Sequence, residues 1–189
     1  MMARVRPMRA DARRNYERLL EVAAEAFAEH GENASLDDIA KRAGVGSGTL
    51  YRHFPTRQAL LEAAYVERIE ALGARADALA ERLPPGEALA EWLYELCVAS
   101  IQVRGMKSLL GKAVTDGTSV PPTTCGAVVQ GAVTRLVFAA RTEGTLRQDL
   151  SPVDLLRLAH GVATASELAN GEGHEIRRYL TFLTEGLRP

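Results

Sequence analysis

Apolar residues recur at steps of three and four along most of this chain, the period of a helix that buries one face. Leu19, Ala23, Ala26 and Phe27, with His30 in register, predict a first helix from Asp11 to His30, stopped by Gly31. Leu36, Ile39, Ala40 and Ala43 predict a short second helix. Its start is marked by "SLDD", which sets Asp38 at capping-box spacing from Ser35, and its end by Gly44. A third helix runs from Ser47 to Phe54 until Pro55 blocks it, and Thr56 is placed to cap a fourth. That fourth helix is long, because Leu61, Tyr65, Ile69, Leu72, Ala76, Leu79 and Leu83 keep the helical step until "LPPGE" at 83–87 breaks it.

Beyond the prolines the pattern changes. Residues 88–103 carry Leu89, Trp92, Leu93, Leu96, Cys97, Val98, Ile101 and Val103, apolar on nearly every side, which predicts a helix enclosed by several others. A short helix at 106–114, the loop "TDGTSVPPTT" and a helix at 125–142 follow. One more helix opens at the Ser151 of "SPVD" and runs to 170, and a last, at 174–187, comes after "NGEGHE", which makes nine. The predicted fold is all-α. A three-helix head, residues 1–57 with a flexible basic arm at 1–10, is joined by the long fourth helix to a helical bundle at 58–189.

Composition narrows the class. The chain is 47 % hydrophobic and 25 % charged, rich in alanine and leucine and poor in aromatics, as expected of a helical globular protein. No stretch reaches the roughly 18 apolar residues of a spanning helix, and the N-terminus lacks a signal-peptide core, so a cytoplasmic protein without membrane contact is expected. Cys97 and Cys125 have no metal-ligand spacing and no basic neighbour to activate a thiol, which argues against a metal site and a redox pair. The net charge of −1 conceals an asymmetry: residues 1–18 hold six arginines against Asp11 and Glu17, a net +4, leaving about −5 for the rest. Arg4, Arg6 and Arg9 serve either as a solubilising tail or as a phosphate tether.

The stretch "DDIAKRAGVGSGTLYRHFPTRQALL", residues 37–61, concentrates the chemistry. Leu50 and Phe54 are i,i+4 partners that should pin the third helix to the first two. Its other faces then present Ser47 with Tyr51 and Gly48 with Arg52, with Thr49 and His53 on a flank. Two short helices joined by a glycine turn, the second polar on its outer side, form a helix-turn-helix whose second helix suits the DNA major groove. Arg52 suits a bidentate contact with guanine, Ser47 and Thr49 suit base edges or thymine methyls, and Tyr51 and His53 suit phosphates. Gly48 lets the backbone approach, while Ser35, Thr56 and Arg57 sit at helix N-termini, where phosphate is favoured.

These residues carry a resemblance. The pattern ending "AFAEHG", followed by "SLDDIAKRAGVGSGTLYRHFPTRQALL" and a long helix, resembles the TetR-type transcriptional regulators over residues 11 to about 65. The resemblance implies that Ser47, Thr49, Tyr51, Arg52, His53 and Arg57 face DNA. This chain departs from the pattern at Gly46, where members often cap the third helix with serine. Over 86–189 only the helical layout is similar, and it implies an effector-binding bundle whose last two helices pair in a homodimer.

Within that bundle, Trp92, Leu96, Cys97, Ser100, Met106, Leu110, Val133, Val137 and Phe138 are candidate contacts for a small, largely apolar effector. Leu155, Leu158, Val162, Ala165, Ile176, Tyr179, Leu180 and Leu183 are candidate dimer contacts, from their apolar stripes and the resemblance. No catalytic constellation is present: the four histidines are scattered, no serine sits in a nucleophile elbow, and "GVGSG" follows no strand and precedes no lysine. A repressor released from a palindromic operator by its effector is therefore expected, with no cofactor and no enzymatic activity. An all-α enzyme or carrier for a hydrophobic molecule, and a non-specific architectural DNA protein, are the alternatives.

Overall fold

The computed structural model describes residues 7–102, 124–169 and 173–189, all helix, turn or connection, with no strand among them. The helices are α1 (Pro7–His30), α2 (Leu36–Ala43), α3 (Ser47–His53), α4 (Arg57–Ala80), α5 (Pro85–Gln102), α6 (Thr124–Glu143), α7 (Pro152–Leu168) and α8 (Gly173–Gly186). A 3₁₀ turn at Gly31–Asn33 follows α1. The helix expected at 106–114 lies outside the described residues. So do Met106, Leu110 and the first six residues of the basic arm.

Two boundaries differ from expectation, each for a local reason. α1 starts at Pro7 instead of Asp11, since proline at the first helical position loses no hydrogen bond and comes with φ already helical. Residues 7–10 are therefore helix and not arm. The "LPPGE" break likewise ends one helix and begins the next: α4 stops at Ala80, and Pro85 is the first residue of α5.

The chain divides into two compact units, Met1–Tyr65 and Val66–Pro189, so the division falls inside α4. In the first, Leu19, Ala23, Ala26 and Phe27 of α1 are buried with Ile39, Ala40 and Ala43 of α2, Leu50 of α3, and Leu60, Leu61 and Tyr65 of α4. The phenol of Tyr65 donates to the Ala24 carbonyl at 2.9 Å, so this wholly enclosed tyrosine leaves no polar atom stranded.

In the second unit α5 lies against α6, α7 and α8, as its all-round apolar pattern predicts. Trp92, wholly buried, donates its Nε1–H to the Leu72 carbonyl of α4 at 3.0 Å. Arg75 of α4 pairs with Glu95 at 2.8 Å, and Asp77 pairs with Arg135 of α6 at 2.8 Å. α7 begins with a full capping box between Ser151 and Asp154. α6 ends at Gly144, φ 80°, where Thr145 N–H reaches back to the Ala140 carbonyl in a Schellman turn.

On α8, Arg177 grips both oxygens of Glu91 at 2.8 and 2.9 Å and lies 3.7 Å over the Tyr94 ring. The hydrogen bond from Arg177, against the opposing effect of burial, holds the Glu91 carboxyl below its usual range. The clamp therefore contributes at neutral pH and is lost as pH falls through that lowered value. Both partners reach solvent, so it is worth less than about 1 kcal/mol. No helix among the described residues is long and apolar enough to cross a membrane.

At Gly73 of α4 an added Cβ would lie 2.6 Å from Val128 Cγ1 of α6. Alanine there gains about 1 kcal/mol of helix propensity, yet the stiff β-branched valine cannot yield cheaply, and overpacking costs about 1–3 kcal/mol. Gly73→Ala is expected to lower the thermal midpoint by about 2–6 °C in a melt followed by circular dichroism.

Candidate nucleic-acid interface

α2 and α3 form a helix-turn-helix through one glycine. Ser35 caps α2, its Oγ accepting from Asp38 N–H at 3.3 Å, and Asp37 and Asp38 in the first turn complement the positive helix end. At the other end Gly44 adopts φ 69°, ψ 27°, and Val45 N–H returns to the Ala40 carbonyl at 2.9 Å, a Schellman turn that reverses the chain toward α3. Arg18 of α1 closes over this turn, donating from Nη2 to the Arg42 carbonyl at 3.2 Å. Arg42 in turn pairs with Glu25 of α1 at 3.0 Å. Two reciprocal guanidinium contacts thus tie α2 and the turn to α1.

α3 has only seven residues, and its orientation comes from one of them, Leu50, and from Phe54 at its C-cap. Leu50 is wholly buried and Phe54 is 5 % exposed, with Phe54 N–H bonded to the Leu50 carbonyl at 2.8 Å. Gly48, Thr49, Tyr51, Arg52 and His53 are exposed and Ser47 is half-buried. Nothing lies within 4 Å of a Cβ built on Gly48, so the backbone is open to approach there. Thr56 caps α4, its Oγ1 accepting from Ala59 N–H at 3.1 Å. Arg57 is half-buried, and its Nη1 is enclosed without a hydrogen-bond partner. Ser35, also exposed, borders an open groove of about 490 Å³ between α1 and α2, beside His30 and Arg42.

One contact at this surface has no counterpart in the sequence pattern. Tyr16 of α1, 41 % exposed, stacks on Phe54 at 5.8 Å and meets the edge of His53 at 6.4 Å. Tyr16 lies three residues ahead of Leu19, in register with the apolar row of α1, so periodicity places it on the inner face without naming Phe54 or His53 as its neighbours.

In the second unit the residues singled out from the sequence separate into two groups. Trp92, Leu96, Cys97, Ser100, Val133 and Val137 are buried together around α5 and α6. Cys97 donates to the Ala159 carbonyl at 3.3 Å and Ser100 to the Leu96 carbonyl at 2.7 Å, so with Trp92 their polar atoms are already engaged by backbone. Burial pushes the Cys97 thiol up to about 12, which keeps it protonated and inert. Ser166 of α7 is the contrasting case: fully buried, with an Oγ that has no partner.

Phe138, expected among the effector contacts, is instead 72 % exposed. It stands two and a half turns from buried Val129, which puts it on the far face of α6. Of the residues expected at a dimer contact, Leu155, Ile176 and Leu180 are instead buried within their own chain. Leu158 and Ala165 are exposed and Val162, Tyr179 and Leu183 half-buried. The large exposed apolar residues beside them are Leu168, 87 % exposed, and Phe182, 59 %, both absent from the sequence expectation.

An all-helical head with a glycine-turned helix pair and an outward polar face has the architecture of a helix-turn-helix regulator. Residues 19–64 match the family described as "Bacterial regulatory proteins, tetR family", and residues 84–189 match "Transcriptional regulator SbtR-like, C-terminal domain". The chain is 35 % identical to a TetR transcriptional regulator from Streptomyces coelicolor, over 92 % of this chain and 98 % of that one, with a TM-score of 0.54. The chain belongs to the TetR family of transcriptional regulators. An HTH-type transcriptional regulator of Staphylococcus aureus is 50 % identical over 54 residues, 28 % of this chain and only 29 % of that protein's length. FadR from Bacillus subtilis, solved in complex with stearoyl-CoA, shares the fold at 16 % identity, over 92 % of this chain and 100 % of that one, with a TM-score of 0.67.

The two glycines of the turn should respond oppositely to a side chain. Gly44→Ala forces a Cβ into a left-handed residue, at about 1–2 kcal/mol, and brings it 3.2 Å from Arg18 Nη2. A lower thermal midpoint is expected. Gly46 caps α3 from an extended conformation with open space around it. Gly46→Ser is expected to raise the midpoint slightly, by a few tenths of a kcal/mol in stability, roughly the difference between glycine and serine caps.

Proposed function

We propose that this protein is a homodimeric repressor that binds a palindromic operator through α3 and is released by a small, largely apolar effector held in its second unit. The observation that carries the DNA half is the outward presentation of Thr49, Tyr51, Arg52 and His53 opposite buried Leu50 and Phe54. Arg52 and Thr49 read base edges, while Tyr51, His53, Thr56 and Arg57 hold phosphates. Arg57, half-buried in the first turn of α4 beside the Thr56 cap, lies at the positive end of a long helix, which supports an anchoring role toward phosphate.

Two-fold pairing is supported by the apolar face of Leu158, Ala165, Leu168 and Phe182 on α7 and α8, and by geometry: one seven-residue helix covers few base pairs, and a second copy on a palindrome doubles the contacts. The effector reading is supported by the apolar interior around α5 and by the stearoyl-CoA bound to FadR from Bacillus subtilis, a protein of the same fold. Ser166, buried on α7 with an Oγ that has no partner, would be the hydroxyl to meet a polar group on such a guest. Effector and operator then oppose each other reciprocally, each weakening the other by the same factor, typically about 5–150-fold.

Binding-site selection on the purified protein is expected to yield a palindrome bound far more tightly than a scrambled duplex. Loss of that difference removes the reading in favour of non-specific binding. Arg52→Ala should cost about 1–3 kcal/mol on the selected site and relax choice at one base position, whereas Arg57→Ala should weaken both duplexes alike and reduce the salt slope by about 1. Identical behaviour of the two variants would contradict the division between reading and anchoring.

The dimer face is tested by sedimentation equilibrium. Phe182→Glu is expected to give monomers at concentrations where the wild type and Phe138→Glu remain dimers.

A further inference from the structure

We propose that Tyr16 is a positioning residue for DNA binding: its ring, packed on Phe54 and against His53, holds the His53 imidazole in one orientation toward a phosphate of the duplex. The inference rests on the DNA-binding reading above and adds a residue of α1 that lies ahead of the matched segment 19–64.

Residues 11–18 of α1 are all exposed, and most of their charged side chains are engaged locally. Arg13 pairs with Glu17, Arg14 with Asp11, and Arg18 covers the turn. Tyr16 alone among the described side chains of that stretch makes ring contacts with the end of α3. Its ring stacks on Phe54 with an interplanar angle of 28° and meets His53 at 68°, the edge-to-face arrangement that aromatic quadrupoles favour. His53 and Phe54 are themselves 6.3 Å apart at 46°, so His53 is flanked by two rings.

Phe54 is fixed, being buried and at the C-terminal end of α3. Tyr16 is therefore the movable half of the support. An exposed imidazole on the last turn of a short helix would otherwise sample its staggered χ1 wells, and only one of them aims a ring nitrogen at a given phosphate. Holding it there spares the cost of ordering it on binding, which is how preorganised contacts gain affinity. The half-exposed Tyr16 ring adds little to the core, so its effect should be read mainly in binding.

The test is a double-mutant cycle on the full-length protein. Affinities for the selected duplex and a scrambled duplex of equal length are measured across a salt series, with the thermal midpoint of each variant. Tyr16→Phe, which keeps the ring, is expected within about two-fold of wild type. Tyr16→Ala is expected to be weaker by about three- to ten-fold on both duplexes, the loss from freeing one side chain over several rotamers. Adding Tyr16→Ala to His53→Ala should weaken binding no further, and His53→Ala should lower the salt slope by about 1. Tyr16→Leu, which keeps apolar cover on Phe54, takes the place of Tyr16→Ala if the latter unfolds below the assay temperature.

Effects of the two single variants that add in the double, or a Tyr16→Phe as weak as Tyr16→Ala, overturn the positioning role. The second outcome would make the hydroxyl itself the contact. A wild type that binds neither duplex overturns the DNA-binding reading along with it, whereas additivity in a wild type that binds overturns the role of Tyr16 alone.

Discussion

Enclosure of the Leu50 side chain fixes how a seven-residue helix is rotated about its own axis. So short a helix has almost no stability of its own, since isolated helices under about 12 residues are marginal in water. Its existence and its orientation therefore come from the same burial. Given Leu50 and Phe54 inside, the 100° step of the helix leaves Thr49, Arg52 and His53 no place but the surface. The chemistry proposed for that surface is a consequence of the packing beneath it.

The turn ahead of α3 depends on a second constraint. Gly44 is left-handed, a conformation that L side chains adopt at a cost, and the carbonyls it would leave exposed are taken by backbone amides and by Arg18. That arginine comes from α1, so the helix that buries Leu19, Ala23, Ala26 and Phe27 in the head also holds the turn. The same logic governs the second unit. Trp92, Cys97 and Ser100 each spend their polar atom on a backbone carbonyl, which lets α5 be surrounded by three helices without stranded donors.

Much of this was legible along the chain. The caps Ser35, Thr56 and Ser151, the stop at Gly44 and the apolar rows of α4 and α6 are local signals, written within one or two turns of where they act. The misplacements share a cause. Apolar stripes on α7 and α8 reveal that Leu155, Leu158, Ile176 and Leu180 lie on apolar faces, but a stripe wider than one neighbour needs does not say which edge the subunit keeps for itself. Phe138 lies two and a half turns from buried Val129, so its phase on α6 places it outward whatever its aromatic character.

The sequence by itself determined the helices, their order, the glycine turn and the polar face of α3, because each follows from backbone conformation and nearest-neighbour periodicity. Only the tertiary structure decided which apolar residues remain outside, that Arg18 closes the turn, that Ser166 is buried without a partner, and that Tyr16 meets His53. Those facts join residues 24 to 37 positions apart, or depend on how many neighbours surround a face, and no local pattern encodes either.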